Sequence, residues 1–114
     1  MISRHWTCVT HRDGAEQYER HLLTETLPAI REIEGFMSAP ILRRDVHDGV
    51  AHRIVTEWTS MEAVRAFAGA DADTAVVPEK VHPLMIRFDE RVETTRCADL
   101  FLPQRLRRRD PRRP

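Results

Sequence analysis

The stretch RIVTEWTSMEAVRAFAG, residues 53–69, contains the end of a strand followed directly by the start of a helix. Its first half alternates apolar and polar residues, which is the period of a half-buried strand. Thr59 and Ser60 each suit the N-cap position of a helix, and a glutamate follows at capping-box spacing. The stretch therefore predicts a strand that ends at Trp58 and a helix that runs to about Ala68.

The chain before this stretch predicts one strand and one helix. Residues 2–11 are rich in β-branched and aromatic residues and end in a turn signal, as a strand does. The helix that follows is predicted from apolar side chains at steps of three and four residues. These side chains are Ala15, Tyr18, Leu22, Leu23, Leu27, Ile30 and Ile33. Pro28 lacks an amide donor, so we expect a break there and a short second helix over residues 28–34, ended by Gly35.

The remaining strands complete an α+β pattern. Residues 36–46 and 51–58 read as two strands joined by a Gly-containing hairpin turn, and residues 84–94 as the last strand. The order β-α-β-β-α-β predicts a ferredoxin-like fold, a four-stranded antiparallel sheet with the helices on one face. The other face of such a sheet is bare, and two copies packed face to face would cover its apolar area. We therefore expect a homodimer.

The chain has 114 residues, which fits one domain, and its formal charge of zero hides two parts of opposite sign. Residues 1–103 carry 12 basic and 17 acidic residues, whereas residues 104–114 carry 6 and 1. We divide the chain into a domain over residues 1–96 and an arginine-rich extension over residues 97–114. The charge and prolines of the extension are typical of a solvated tail. Nucleic-acid binding is disfavoured, because no basic or aromatic surface elsewhere continues the patch.

The composition also disfavours membrane, secreted and metal-binding proteins. No apolar run approaches the about eighteen residues that a membrane helix needs, and the N-terminus has no secretory signal pattern. We therefore predict a cytoplasmic protein without membrane contact. Cys8 and Cys97 are too few for a disulfide framework or a zinc cluster, and we interpret both as buried thiols. No pair of histidines has metal-binding spacing, so neither a metal nor another cofactor is expected.

Four segments together resemble one known family. They are MISRHW (residues 1–6), IEGF (residues 33–36), WTSMEAVRAFAG (residues 58–69) and VVPEKVHPLMIRFDERVE (residues 76–93). By their order and spacing, the chain is similar over residues 1–96 to the antibiotic biosynthesis monooxygenase family of dimeric α+β barrel proteins. The resemblance implies a homodimer whose two sheets form a barrel, with a small pocket between sheet and helices in each protomer. Some relatives oxidise aromatic polyketide intermediates to quinones without metal or flavin, others degrade haem, and many have no established activity.

The sequence departs from the haem-degrading branch of this family. Those relatives rely on an asparagine, a helix tryptophan and a haem-ligating histidine, and this chain contains no asparagine. Phe67 stands where the helix tryptophan would fall, and His82 lies in a proline-braced loop instead of on a helix. Haem degradation is therefore disfavoured. The quinone-forming relatives also tend to use an asparagine with tryptophan or tyrosine, so the chemistry has to be argued from the side chains that are present.

A pocket for an aromatic ligand is predicted from the strand faces. The period of two puts Arg4 and Trp6 on one face of the first strand. Arg4 is the candidate catalytic residue that holds an enolate, and His82 at the loop mouth is the candidate base. Two indoles would sandwich a planar ring. The candidate substrate-binding residues are Trp6, Trp58, Phe67 and Phe88.

The sequence leaves alternatives open for these candidates and for the function. The two tryptophans also suit core packing, and Arg4 suits an ion pair with Glu57. Four histidines are interpreted as surface or interface residues: His5, His11, His47 and His52. The favoured function is a small cofactor-independent monooxygenase-like or cyclase-like enzyme that acts on an aromatic or polyketide-type molecule. The alternative is a non-catalytic small-molecule-binding or stress-related dimeric α+β barrel protein.

Overall fold

A computed structural model describes residues 1–96 as one antiparallel sheet covered by helices, and the extension predicted over residues 97–114 lies outside the described residues. The strands are β1 (Ile2–Thr10), β2 (Phe36–Ser38), β3 (Ile41–Val46), β4 (Gly49–Trp58), β5 (Met85–Phe88) and β6 (Glu93–Arg96). The helices are α1 (Ala15–His21), α2 (Leu27–Arg31) and α3 (Met61–Ala68), and none within residues 1–96 is long and apolar enough to cross a membrane. β4 and β1 pair at the centre of the sheet. Both β2 and β3 pair with the outer edge of β4, and both β5 and β6 pair with the outer edge of β1. The predicted ferredoxin-like sheet of four antiparallel positions is confirmed.

The pairing of β1 with β4 sets which side chains face the helices. Ile2 lies opposite Trp58, and the register continues without a slip to Thr10 opposite Val50. Because side chains alternate between the two faces of a strand, the even-numbered residues of both strands share one face. Nearly all the buried side chains of the two strands lie on this face, and the helices cover it.

Two apolar clusters hold the helices against this face. The first surrounds the indole of Trp58 and includes Ile30 of α2 and Val64 of α3. The second surrounds Cys8, toward the other end of β1, and includes Tyr18 of α1. Burial of apolar surface stabilises the fold by about 25 cal/mol per Å². The middle of β1 lies between the two clusters, and the apolar core is interrupted there.

The helical chain after β1 is continuous, which corrects the break predicted at Pro28. A π-helical turn over Leu22–Thr26 joins α1 to α2, and in it the amide of Leu27 donates to the carbonyl of Leu22, five residues back. Pro28 follows at the start of α2, where a missing amide donor does not end a helix. The extra residue of the π turn shifts the faces of the helix. Leu23 is 63% exposed, so its place in the predicted buried stripe is wrong.

Two of the predicted strands are each interrupted. The predicted strand over residues 36–46 is divided into β2 and β3, because Pro40 between them has no amide to donate to the sheet. The carbonyl of Pro40 still accepts a hydrogen bond from the amide of Val55 at 3.0 Å. Residues 84–94 form β5 and β6, and the chain between these strands bonds to the loop that follows α3. There the amide of Val92 donates to the carbonyl of Asp73 at 2.7 Å. This contact holds the loop at the edge of the sheet.

The start of α3 is fixed by a cap and by a close approach. Ser60 is the N-cap, and its hydroxyl accepts from the amide of Ala63 at 3.2 Å. Thr59 donates its amide to the carbonyl of Gly35 at 2.8 Å, so the capping box counted from Thr59 does not form. Gly35 has a φ of +99°, and a β-carbon there would lie 2.6 Å from the β-carbon of Ala63. The turn before β2 therefore packs on α3 at a distance that only glycine allows.

The sheet face without helices is mixed in character, whereas the sequence predicted an apolar face. Leu42 of β3 is 56% exposed on this side. It stands beside Arg53 of β4, and both Arg53 and Arg44 are exposed. The face therefore offers isolated apolar side chains between charged ones.

Gly35→Ala and Gly69→Ala form a matched pair that tests the packing of α3. Both glycines have positive φ, but a β-carbon at Gly69 would meet nothing within 4 Å. Strain of this kind costs about 1–3 kcal/mol at either position, and overpacking adds about 1–3 kcal/mol only at Gly35. Denaturant unfolding is expected to show the larger loss of stability for Gly35→Ala. Equal losses would contradict the close approach.

Candidate ligand-binding cavity

A cavity of about 80 Å³ lies between the sheet and the helices, where the apolar core is interrupted. β1 and β4 form its floor, and α1, the π-helical turn and α2 form one wall. Phe67 of α3 and the loop over residues 75–78 complete the enclosure. Most of the lining is apolar, as in most small-molecule sites. Its polar side chains are Arg4, Tyr18, His21, Thr26 and Thr56.

Arg4 places a guanidinium on the floor of this cavity. The residue is 3% exposed, and its guanidinium donates a hydrogen bond to the carbonyl of Ala72. The Nε of Arg4 is buried and has no hydrogen-bond partner among residues 1–96. The alternative ion pair with Glu57 does not form, because Glu57 lies on the opposite face of the sheet.

The charge of Arg4 is not neutralised by a contacting carboxylate in the part of the chain that the structure describes. Burial lowers the pKa of the guanidinium, and the charge of Asp73 raises it. The Asp73 carboxylate itself pairs with Arg91 at 3.7 Å. An arginine side chain keeps its proton in proteins, so the cavity contains a positive charge that an anion would stabilise.

Neutral hydrogen-bonding groups surround this charge. Burial raises the pKa of the Tyr18 hydroxyl, and so does the neighbouring Cys8, so the hydroxyl stays protonated. Burial also raises the pKa of the Cys8 thiol to about 11, and Cys8 is buried as predicted. The hydroxyl of Thr56 accepts the indole N–H of Trp58 at 2.9 Å. The proton of that hydroxyl therefore remains for a ligand in the cavity.

His21 is a cavity residue that the sequence analysis did not identify. It is the last residue of α1, and its Nδ1 lies 3.1 Å from Oε2 of Glu25. Its Nε2 is buried without a hydrogen-bond partner in the described range. The sequence does contain a sign of this site. His21 stands four positions before Glu25 on the predicted helix, a spacing at which two side chains interact, and it is next to Leu22 of the predicted apolar stripe.

The two tryptophans take different positions. Trp6 lines the cavity as predicted, and its indole N–H donates to the carbonyl of Asp89. Trp58 is fully buried in the apolar cluster and does not line the cavity. Phe67 lines the cavity and stacks on Trp58, with ring centroids 5.8 Å apart. The predicted sandwich between two indoles is therefore wrong: the aromatic walls are Trp6 and Phe67, and Trp58 packs behind Phe67.

His82 and Phe88 lie outside the cavity lining. His82 is exposed on the 3-10 turn Glu79–Leu84, and its Nε2 lies 3.1 Å from the carbonyl of Val77. Phe88 packs between this ring and Trp6, with centroid distances of 5.2 Å and 6.2 Å. The structure therefore does not bring the predicted base to the pocket, because the turn directs it outward.

His52 is fully buried next to the cavity, which corrects its assignment to the surface. Its Nε2 lies 2.8 Å from Oε2 of Glu19, and the same oxygen accepts from Arg43 at 2.9 Å. The imidazole also meets the ring of Tyr18 at an angle of 72°, with centroids 5.3 Å apart. These contacts attach α1 to β3 and β4 and so fix Tyr18 at the cavity.

The size of the cavity limits what it holds without a change of shape. Its volume of about 80 Å³ is below the about 150 Å³ of an engineered cavity that binds benzene. Residues 75–78 form part of its lining, and Val76 in this loop is 53% exposed. An aromatic ligand, even one with a single ring, therefore fits only if part of this lining moves outward.

Comparison with known proteins identifies the fold of the chain. No family model matches it, and no curated protein does. A monooxygenase from the gene ActVA-Orf6 of Streptomyces coelicolor, solved in complex with nanaomycin D, is 22% identical; the match covers 90% of this chain and 91% of that chain, with a TM-score of 0.63. A proposed antibiotic biosynthesis monooxygenase from Deinococcus radiodurans is 15% identical, with coverage of 90% and 98% and a TM-score of 0.64. The heme-degrader MhuD from Mycobacterium tuberculosis, solved with two hemes in its active site, is 21% identical, with coverage of 82% and 92% and a TM-score of 0.53.

These similarities confirm the fold that the sequence predicted by its resemblance to antibiotic biosynthesis monooxygenases. The matched structures extend over most of the chain and over nearly all of their own length. At sequence identities of 15–22%, these structural matches establish the fold and carry no conclusion about the ligand or the activity of this chain. One solved neighbour holds nanaomycin D and another holds hemes, so proteins of this fold accommodate different ligands.

Substitutions of the two tryptophans are expected to have opposite effects. Trp58→Phe should lower the free energy of unfolding by about 2 kcal/mol, because it removes packing and one hydrogen bond in the core, and should leave ligand affinity nearly unchanged. Trp6→Ala should weaken the binding of 1-naphthol about tenfold or more, because it removes an aromatic wall. Calorimetric titration and denaturant unfolding of both variants check this. A Trp58→Phe variant that kept its full stability and lost ligand binding would contradict the assignment of Trp58 to the core.

Proposed function

We propose that this chain is a member of the antibiotic biosynthesis monooxygenase family and a small cofactor-independent, monooxygenase-like enzyme. Its substrate is an aromatic or polyketide-type hydroxy compound, which the cavity binds as an anion. The fold and the position of the cavity between sheet and helices support membership of the family. The chemistry of the cavity lining supports the class of substrate.

The observation that carries this proposal is the buried charge of Arg4. Arg4 is 3% exposed, and its guanidinium pairs with no carboxylate in the described chain, so its charge is costly to keep in the folded protein. A phenolate or enolate oxygen in the cavity would give it the charge-assisted hydrogen bonds that it lacks. Trp6 and Phe67 supply faces for the ring that carries this oxygen.

The reaction needs dioxygen as the oxidant and no other redox partner. A phenol such as 1-naphthol that gains one oxygen atom from dioxygen and loses two hydrogens becomes a quinone, and the second oxygen atom leaves as water. Ionisation of the hydroxyl makes the ring electron-rich enough to react with dioxygen. Arg4 favours this ionisation by holding the anion, and the apolar lining excludes bulk water from the reacting ring.

The dimensions of the cavity disfavour haem as its ligand. Sites for drug-sized ligands measure about 300–1,000 Å³, several times the volume found in this chain. The second candidate function, a non-catalytic protein that binds a small aromatic anion, uses the same cavity. The two functions differ in turnover alone, so oxygen consumption with a bound hydroxynaphthalene separates them.

We also propose that the protein is a homodimer that associates through the sheet face without helices. The family resemblance implies this arrangement. Exposed apolar side chains on the sheet support it: Met37 is 47% exposed, Leu42 56% and Ile86 37%. The arginines between them require acidic or polar partners on the second copy, so the interface is mixed in character.

Leu42→Glu is expected to shift the protein from dimer to monomer, because it places a charge in the interface. Leu23→Glu is the matched control, since Leu23 is 63% exposed on the helical layer. Light scattering should give twice the chain mass of 13.3 kDa for the wild type and for the control. A wild-type protein that is monomeric at micromolar concentration would contradict the dimer.

Arg4→Met is expected to weaken ligand binding without lowering the stability of the protein. Methionine removes the buried charge at similar length, so the variant should be as stable as the wild type or more stable by about 1 kcal/mol. Its affinity for 1-naphthol should fall about tenfold or more, because a hydrogen bond to a charged group is lost. Naphthalene, which has no hydroxyl, should bind both proteins equally.

Turnover is tested with ¹⁸O₂ and 1-naphthol. The wild type should form a naphthoquinone that carries one labelled oxygen atom, and Arg4→Met should not. Binding of 1-naphthol without any labelled product would support the non-catalytic candidate. An Arg4→Met variant that lost stability and bound 1-naphthol like the wild type would show that Arg4 has a structural role only.

A further inference from the structure

We infer that His21 is the acid–base residue of the cavity and that Glu25 is its positioning residue. In this assignment, Nε2 of His21 takes the proton of the ligand hydroxyl, and Glu25 orients the imidazole through Nδ1. The inference rests on the proposed function, because it deepens the chemistry of the same cavity.

The two ring nitrogens of His21 have different surroundings. Its side chain is 10% exposed and belongs to the lining of the cavity. Nδ1 lies 3.1 Å from the carboxylate of Glu25, and the Glu25 side chain is 52% exposed. Nε2, on the other side of the ring, is buried and unpaired among residues 1–96. A buried imidazole nitrogen without a partner beside a cavity is the arrangement that a ligand hydroxyl would complete.

The contact with Glu25 decides which nitrogen carries the proton in the neutral ring. A carboxylate accepts hydrogen bonds, so it stabilises the tautomer with the proton on Nδ1 and the lone pair on Nε2. Hydrogen bonds from Lys80 and then from His21 hold the pKa of Glu25 below its usual value. Glu25 therefore stays ionised near neutral pH and keeps the lone pair of the neutral imidazole on the buried Nε2.

The charged and titratable groups around His21 come from four elements. Glu25 and Arg20 share its helical segment, and Lys80 on the 3-10 turn completes the outer groove that His21 also lines. The cavity lining adds Tyr18, three residues before His21 on α1, and Arg4 of β1. Two of these charges are coupled directly to the proposed step: Glu25 compensates an imidazolium, and Arg4 compensates a phenolate.

The proton transfer balances within this set of groups. The O–H bond of the ligand breaks, an N–H bond forms at Nε2 of His21, and the electron pair stays on the ligand oxygen beside Arg4. After the transfer each positive group has a negative counterpart: Arg4 compensates the ligand anion, and Glu25 compensates the His21 imidazolium. Because Glu25 is half exposed, the proton on Nδ1 has a route to solvent that does not cross the cavity.

His21→Gln tests the inference by a spectroscopic signature. A phenol with a pKa of about 10 in water is neutral at pH 7, and its anion absorbs at longer wavelength. The wild type should bind 1-naphthol at pH 7 with the absorption band of the naphtholate. In His21→Gln the affinity should change by less than about tenfold, while the bound 1-naphthol stays neutral until the pH is raised. His82→Gln is the matched control and should behave like the wild type.

Glu25→Gln provides a second variant at an exposed position that folding tolerates. An amide at this position does not compensate an imidazolium, so the ionised fraction of bound 1-naphthol at pH 7 should fall below that of the wild type. Naphtholate bound at pH 7 by a folded His21→Gln variant would overturn the inference, as would unchanged oxygen consumption in that variant. Ionisation by the wild type without labelled product would instead overturn the enzymatic function alone, and no binding of 1-naphthol would overturn both.

Discussion

The antiparallel register between β1 and β4 is the constraint on which the site depends. It places Arg4 opposite Thr56 and Trp6 opposite Ile54, all on the face that the helices cover. A slip of one residue would move each of these side chains to the other face of the sheet. The same register puts one apolar cluster at each end of the strand pair, so the gap in the core falls where the guanidinium is. Fold and cavity are therefore consequences of one pairing.

In the proposed function, Arg4 opposes stability and favours ligand binding, and these two effects have one cause. Water would solvate a guanidinium better than the interior of this protein does, and the carbonyl of Ala72 replaces only part of that solvation. An anionic ligand stabilises the charge and becomes ionised more easily itself, because the interaction is mutual in a site of low dielectric constant. In the inferred role of His21, a second pair of charges acts in the same way. The carboxylate of Glu25, whose side chain is half exposed, stabilises the imidazolium that forms when His21 takes the ligand proton.

The period of the strands and the fixed order of the elements were enough to predict the fold and to put two β1 residues on the face that lines the cavity. Arg4 and Trp6 followed directly, because a strand alternates strictly. Trp58 shares their face, but only the tertiary structure shows that Phe67 stands between it and the cavity. His21 was not predicted, because a helical stripe with a π turn does not reveal which polar neighbour points inward. His82 was misplaced since the direction of a proline-braced turn depends on packing with Phe88 and not on local sequence.

A crystal structure of the complete chain with 1-naphthol bound tests the central claim most directly, because it shows what neutralises Arg4. The account predicts the naphthol oxygen within about 3 Å of the guanidinium, with no carboxylate in contact with it. It also predicts that the ring lies between Trp6 and Phe67 and that the loop over residues 75–78 is displaced from the position described above. A carboxylate bound to Arg4, from Asp73 or from a second copy of the chain, with the naphthol elsewhere, would contradict the account.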